Sequence, residues 1–282
     1  MWAQRITHES RYYDRSSFVT LTYNDENLPP DYSLSLRHMQ LFLKRLRKRS
    51  KEKFKVFYCG EYGQKKYRPV GPFNPEQYQA EGQRPHYHAC LLGVDFDDKE
   101  LFTVRDGISL YTSDFLTDVW GLGHASVGDL TFESAAYVAR YCLKKINGNL
   151  QQKTDPITGL RPYERTCPYT GEIIEVSPEF AHMSRGGRNG RGIGYRHVVD
   201  YHSDIYPHDS VVRKDGRKLK PSRYYDDIYE QIAPITMEQI RARRAIAAES
   251  AAWNSTPARL KVRETVKKAQ IKMLKRGSPN EN

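Results

Sequence analysis

The chain has 282 residues, 38% hydrophobic and 28% charged, with 45 Lys and Arg against 34 Asp and Glu for a net charge of +11. That length suits one large domain or a domain with an appendage, and no run nears the roughly 18 apolar residues that a membrane span needs. The positive excess points to a polyanionic partner.

The opening segment, MWAQRITHESRYYDR, has no apolar core behind its basic residue and is therefore not read as a secretory signal; the protein is placed in a cytoplasm. SFVTLTYND (17–25) is β-branched and aromatic and ends in turn formers, which predicts a strand. SLRHMQLFLKRLRKRSK (35–51) sets Leu36, Met39, Leu43 and Leu46 at helical spacing above a basic face. KFKVFYCGEYG (53–63) predicts a strand, and a Pro-, Gly- and Gln-rich insert from Gln64 to Gln83 predicts a loop. RPHYHACLLGVDF then resumes as a strand.

Further on, YTSDFLTDVWG (111–121) reads as a helix, GHASVGDLTF (123–132) as a strand and ESAAYVARYCLKKING (133–148) as a strong helix closing at Gly148. The short links between strands leave little room for crossovers, so the expected fold is α+β, a central antiparallel sheet with helices on one face. Residues 149–223 look loop-rich, and the chain from Met237 looks helical with a break near Pro257. The expected organisation is a core at 1–150, a loop-rich extension at 151–235 and a basic helical tail at 236–282. Between Arg241 and Arg276 lie eleven Lys and Arg against Glu249 and Glu264, so the tail holds most of the excess charge.

Four cysteines, Cys59, Cys90, Cys142 and Cys167, occur without a CxxC pair, which argues against a thiolate zinc site or a disulfide framework. Chemistry points instead to RPHYHACLL. His86 and His88 lie two apart in a strand, which sends both imidazoles to one face, and the apolar residues after them argue against an ordinary solvated face. Glu61, in CGEYG, is the best-placed third ligand. Two imidazoles and a carboxylate with open positions suit Mg²⁺ or Mn²⁺, and zinc fits the same donors. Tyr137 and Tyr141, four apart on one helical face, are packing residues if alone; beside a metal pair they become candidate nucleophiles. Lys144 adds positive charge one turn on.

FVTLTYNDENLP, RPHYHACLLG and YVARYCLKK, in that order, resemble the three motifs of the HUH endonucleases that start rolling-circle replication. CGEYG, FESAAYVARY and PEFAHMSRGGRNGRGIGY narrow the resemblance to the replication initiators of microviruses, the gokushovirus branch in particular, over roughly residues 15–200. Members of that branch often begin with a longer, Cys-containing segment, so the opening MWAQRITHES suggests a trimmed or internal start.

The resemblance implies a ferredoxin- or RRM-like HUH core acting in the cytoplasm of a host bacterium. It implies a site-specific nickase for single-stranded or locally melted origin DNA, with His86, His88 and Glu61 on the divalent ion. Tyr141 or Tyr137 attacks the scissile phosphate with Lys144 nearby, leaving a 5′-phosphotyrosine and a free 3′-OH. Host helicase and polymerase are the implied partners, since no GxxxxGK[ST] loop is present to power unwinding. Lys145 and the arginines of RGGRNGRGIGYRH, Arg185, Arg188 and Arg191, are candidate DNA contacts. Competing readings are a single-strand transposase or relaxase with the same chemistry, a non-catalytic DNA-binding module and a zinc hydrolase.

Overall fold

The computed structural model describes all residues except 64–65, 70–77, 82–83, 106, 142–144, 157, 168–169, 187–190 and 274–282, and describes 66–69, 78–81, 105, 141 and 271–273 by backbone alone. The chain divides into two compact units, Met1–Gly194 and Tyr195–Asn282.

The first unit is built on strands β1 (Ser16–Thr22), β2 (Lys55–Tyr62), β5 (Pro85–Leu92), β6 (Glu100–Arg105), β7 (Ile108–Thr112), β8 (Ala125–Asp129) and β11 (Phe180–Met183). They form a seven-stranded sheet in the order β11-β2-β5-β1-β8-β7-β6, antiparallel at every pairing. Strand parity decides what each face buries. On β2 and β5, Val56, Tyr58, Tyr62, Tyr87, Ala89 and Leu91 join a core with Met39, Phe42, Leu43 and Leu46 of α2 (Leu36–Arg49) and Leu116, Val119 and Trp120 of α3 (Asp114–Trp120). The intervening residues Phe57, Cys59, Cys90 and Leu92 pack against Ala3 and Ile6 of α1 (Trp2–Ser10) and Ala135 and Val138 of α4 (Phe132–Tyr141). Each fully buried Leu, Ile or Phe contributes roughly 1.5–3 kcal/mol.

The α+β class and the antiparallel sheet are as the sequence predicts. The helical layer expected on one face has a counterpart on the other, because both residue parities of the central strands are apolar. α1 has only two buried apolar residues, Ala3 and Ile6, and instead buries polar ones. Its buried Glu9 accepts from Lys55 Nζ at 2.6 Å and from the Gly194 amide at 2.7 Å, tying α1 to β2 and to the segment before the second unit. Helical periodicity is therefore weak there.

Several elements differ from their predicted extents. The Gln64–Gln83 insert contains a two-stranded ladder, β3 (Lys66–Pro69) with β4 (Tyr78–Glu81), where a loop was expected. The helix predicted to reach Gly148 is described only to Tyr141; residues 145–147 are not helical, and Gly148 (φ +63°) opens a 3-10 turn. Its start is fixed by a reciprocal cap, in which Ser134 Oγ accepts from the Thr131 amide at 2.8 Å and Thr131 Oγ1 accepts from the Ser134 amide at 3.1 Å. Within the loop-rich stretch, a short hairpin pairs β9 (Glu164–Thr166) with β10 (Ile173–Glu175).

Gly123 has φ +147°, and a Cβ there would lie 2.3 Å from the Asn24 amide nitrogen. That close approach lets Thr22 N and Asn24 N donate to His124 O and Leu122 O at 2.9 and 3.1 Å, which secures the end of β1. Gly123→Ala is therefore expected to destabilise the first unit by about 2–3 kcal/mol, read as a lower denaturant midpoint with an unchanged slope.

The second unit packs α5 (Tyr195–Ile205), α6 (Arg223–Ile232) and α7 (Pro234–Ser250) with a small hairpin of β12 (Val211–Val212) and β13 (Lys218–Leu219). Val198, Ile205, Tyr225, Ile228, Met237 and Ile240 form its core, and the Tyr206 and Tyr229 rings stack at 3.8 Å. Arg244 bridges Asp209 and Asp226 through hydrogen bonds of 2.5–3.1 Å. α8 (Pro257–Met273) begins at the predicted Pro257 break, and its described side chains are exposed. Among the described residues no helix is long and apolar enough to cross a membrane. Cys59 and Cys90 are buried free thiols and Cys167 is a half-buried one; Cys142 lies outside the described residues.

Candidate metal and nucleophile site

The register of the three central strands assembles the site. Glu61 on β2 lies opposite His86 on β5, which lies opposite Thr22 on β1; one pair further along, Cys59, His88 and Thr20 form a parallel row. Parity puts both rows on the face covered by α1 and α4. The insert after Glu61 does not disturb this alignment. The ladder continues beyond the ligands to a Gly63 N to Arg84 O hydrogen bond of 3.2 Å, so the extra residues leave the core only after the pair is set.

Glu61 Oε1 stands 2.9 Å from His86 Nε2 and 3.1 Å from His88 Nε2. One ligand atom from each of the three residues falls within 4.8 Å of the others. The Glu61 and His88 side chains are fully buried and that of His86 is 12% exposed, so the cluster meets solvent through His86. Burial alone would raise the Glu61 pKa, but hydrogen bonds and charge interactions with His86 and His88 outweigh it and hold the carboxyl well below the usual range.

The other ring nitrogens are also engaged. His86 Nδ1 is 3.2 Å from Arg84 O, and His88 Nδ1 is 3.0 Å from Thr20 Oγ1. A carbonyl only accepts, so His86 Nδ1 carries a proton in that bond, and a neutral ring then presents a bare Nε2 toward the Glu61 carboxylate. Two acceptors facing each other at 2.9 Å require something positive between them, either a second proton or a cation. The donor set thus fits a divalent ion held by His86, His88 and Glu61, with Arg84 O and Thr20 orienting the imidazoles from behind. Thr20→Val, which removes the partner of His88 Nδ1, is expected to weaken Mn²⁺ binding about 10–100-fold with the melting temperature little changed, measured by titration calorimetry.

The strand carrying the histidines is also held from its opposite face. Tyr87, between them, accepts from the Ser35 amide at 2.8 Å and shares a 2.7 Å hydrogen bond with the Tyr23 hydroxyl, which reaches His38 Nδ1 at 2.7 Å. Ser35 is the N-cap of α2. Arg84, just ahead of His86, pairs with Asp25 at 2.6 Å and donates to Tyr23 O at 3.1 Å. Alternation therefore places metal donors on one side of β5 and their anchor on the other.

Of the two tyrosines, Tyr137 lies against the cluster. Its ring meets the His88 ring edge-on at 5.4 Å and Phe18 at 6.3 Å, Arg140 sits 5.7 Å above it, and its hydroxyl is buried. Phe18 stacks on His88 at 5.7 Å. Tyr141 ends α4 one turn further along the same face; its backbone alone is described. Lys144 and Arg188 lie outside the described residues. Lys145, Arg185 and Arg191 are exposed. Lys55 Nζ donates to Arg191 O at 3.3 Å, at the opposite end of β2 from Glu61. Thr20, Phe18 and Tyr87 were not singled out in sequence, although Phe18 and Thr20 share the parity that pairing with the histidine strand requires.

Residues 16–69 match the family model of the replication-associated protein ORF2 type. The chain is similar to replication-associated protein VP4 of Bdellovibrio phage phiMH2K, at 29% identity over 241 residues covering 82% of this chain and 63% of that protein. It is likewise similar to replication-associated protein ORF2 of Spiroplasma virus 4, at 28% identity over 240 residues covering 80% of this chain and 61% of that one. The chain thus spans less than two thirds of the length of these curated relatives. No solved structure gives a significant match.

Proposed function

We propose, from the premise that this chain carries a replication-associated protein domain of the ORF2 type and is related to replication proteins of a bacteriophage and a Spiroplasma virus, that it is a DNA strand nickase and transferase of the HUH type that initiates and terminates rolling-circle replication. The observation that carries this reading is the convergence of Glu61, His86 and His88 on one sheet face, with the tyrosine helix α4 packed over His88.

In this reading a tyrosine Oη bonds to the scissile phosphorus, the bond from phosphorus to the preceding 3′ oxygen breaks, and the phenolic proton ends on that oxygen. The products are a 5′-phosphotyrosine and a free 3′-OH able to prime synthesis. One phosphodiester replaces another, so no nucleotide triphosphate is consumed. A bound Mg²⁺ or Mn²⁺ supplies charge that polarises the phosphate and offsets the ordinary phenol pKa of about 10. Glu61, His86 and His88 hold that ion, Thr20 and Arg84 O orient the imidazoles, and Lys144 adds positive charge behind Tyr141. Two tyrosines on one face allow a second attack that rejoins the strand after a round of synthesis. Single-stranded or melted origin DNA is the substrate, Lys145, Arg185, Arg188 and Arg191 contribute to holding it, and the host helicase and polymerase extend the primer in the bacterial cytoplasm.

A random-sequence single-stranded 40-mer pool tests this reading. Adducts that survive denaturation are expected with Mn²⁺ and not with EDTA, and sequencing the captured DNA should return one cleavage motif. Cleavage without any adduct would identify a hydrolase instead, and DNA binding with neither cleavage nor adduct a binding module.

A further inference from the structure

The insert between the metal-bearing strands has so far no role. Its ladder pairs Lys66 with Glu81, Tyr67 with Ala80, Arg68 with Gln79 and Pro69 with Tyr78. Directly opposed residues share a face, and faces alternate along a strand. One side of the ribbon therefore carries the Lys66, Arg68, Gln79 and Glu81 positions, and the other carries Tyr67, Pro69, Tyr78 and Ala80. The ribbon leaves the core at Gly63 and returns at Arg84, two residues beyond Glu61 and two before His86. Ligand geometry does not need it, because the core ladder is already closed by the Gly63–Arg84 hydrogen bond.

We propose that this β3–β4 ribbon is a DNA-gripping arm that binds the single strand beside the phosphate held at the Glu61–His86–His88 cluster. The inference rests on the reading of that cluster as a DNA-strand site. Three features of the segment favour a single strand as occupant. Lys65, Lys66 and Arg68 supply phosphate contacts. Tyr67, Phe73 and Tyr78 supply stacking surfaces for unpaired bases. Gln64, Asn74, Gln77, Gln79 and Gln83 supply amides able to hydrogen-bond base edges. The position adds a fourth. A ribbon rooted two residues from both Glu61 and His86, on the side where His86 opens to solvent, stands where a strand entering the cluster must pass.

The core geometry also makes the arm separable. Replacing residues 64–83 by Asn-Gly joins Gly63 to Arg84 through a two-residue hairpin loop, a connection that matches strand twist. The armless variant is expected to keep the wild-type melting temperature and Mn²⁺ affinity. Its Kd for a fluorescein-labelled mixed-sequence single-stranded 30-mer should rise at least about tenfold. The slope of log K against log salt should become shallower by about 2, as for loss of three phosphate contacts. Lys66→Ala with Arg68→Ala should reproduce the slope change, and Tyr67→Ala with Tyr78→Ala the affinity loss without it; this pair keeps the test valid if the deletion does not fold. Unchanged DNA affinity and salt slope in the armless protein and both pairs would overturn the proposal, and would leave the ribbon to a protein partner. Loss of binding in these variants alongside an intact protein that forms no adduct would instead sustain the arm and sink the nickase chemistry.

Discussion

Glu61→Ala is expected to weaken Mn²⁺ binding by at least about 100-fold and to remove detectable strand cleavage at micromolar metal. The carboxylate is the common partner of both Nε2 atoms, at 2.9 and 3.1 Å, and it is fully buried, so no surface group can take its place. Removing an outer partner of a metal-bound histidine already costs about 10–100-fold, and a direct ligand should cost more. His86→Ala with His88→Ala should behave alike, since it removes both nitrogen donors. Cys59→Ser is the informative control: Cys59 lies directly opposite His88, yet it is not among the three residues whose ligand atoms converge. Titration calorimetry and a cleavage assay over a Mn²⁺ range would separate lost affinity from lost chemistry. Normal cleavage by the double histidine variant would remove the metal assignment.

Tyr137→Phe with Tyr141→Phe is expected to abolish adduct formation, a loss on the order of 10³-fold or more as for other removed nucleophiles, while single-strand affinity stays within about twofold. The single substitutions should differ. The Tyr137 hydroxyl is buried and its ring packs on His88, whereas Tyr141 sits one turn further out at the helix end. Tyr141→Phe should therefore slow the first nick most, and Tyr137→Phe should leave nicking near normal while impairing rejoining of the strand. Gel analysis of linear and recircularised products separates the two. Equal effects on both steps would mean that the tyrosines are interchangeable.

The parts of the site that were legible in sequence are those written in a short period. The spacing of His86 and His88 sets their common face whatever else the strand does, and Tyr137 with Tyr141 is fixed in the same way by helical geometry. Glu61 was readable as a ligand only by supposing that its strand pairs with the histidine strand in one register. The long insert hid that register, and the Gly63–Arg84 closure shows why the insert leaves it intact.

What stayed hidden depends on contacts between distant segments. α1 conceals itself because Gln4, His8 and Glu9 are buried polar residues, and only the pairing of Glu9 with Lys55 and the Gly194 amide gives one of them a reason to be inside. β11 has four residues, and its place at the sheet edge follows from pairing with β2, far earlier in the chain. The β6–β7 hairpin keeps Leu101, Phe102, Val104 and Ile108 more than half exposed, so it lacks the alternation that marks a half-buried strand. Thr20 was missed for the same reason: its role exists only through a hydrogen bond to a histidine 68 residues away.

The most direct test of the central claim is mass spectrometry of the protein after incubation with single-stranded DNA and Mn²⁺, followed by nuclease trimming. The account predicts a nucleotide remnant joined through its 5′-phosphate to Tyr141 or Tyr137, absent after chelation, with a 3′-OH on the released strand that a polymerase extends. A cleaved strand with no remnant on either tyrosine, or a remnant on another residue, would contradict it.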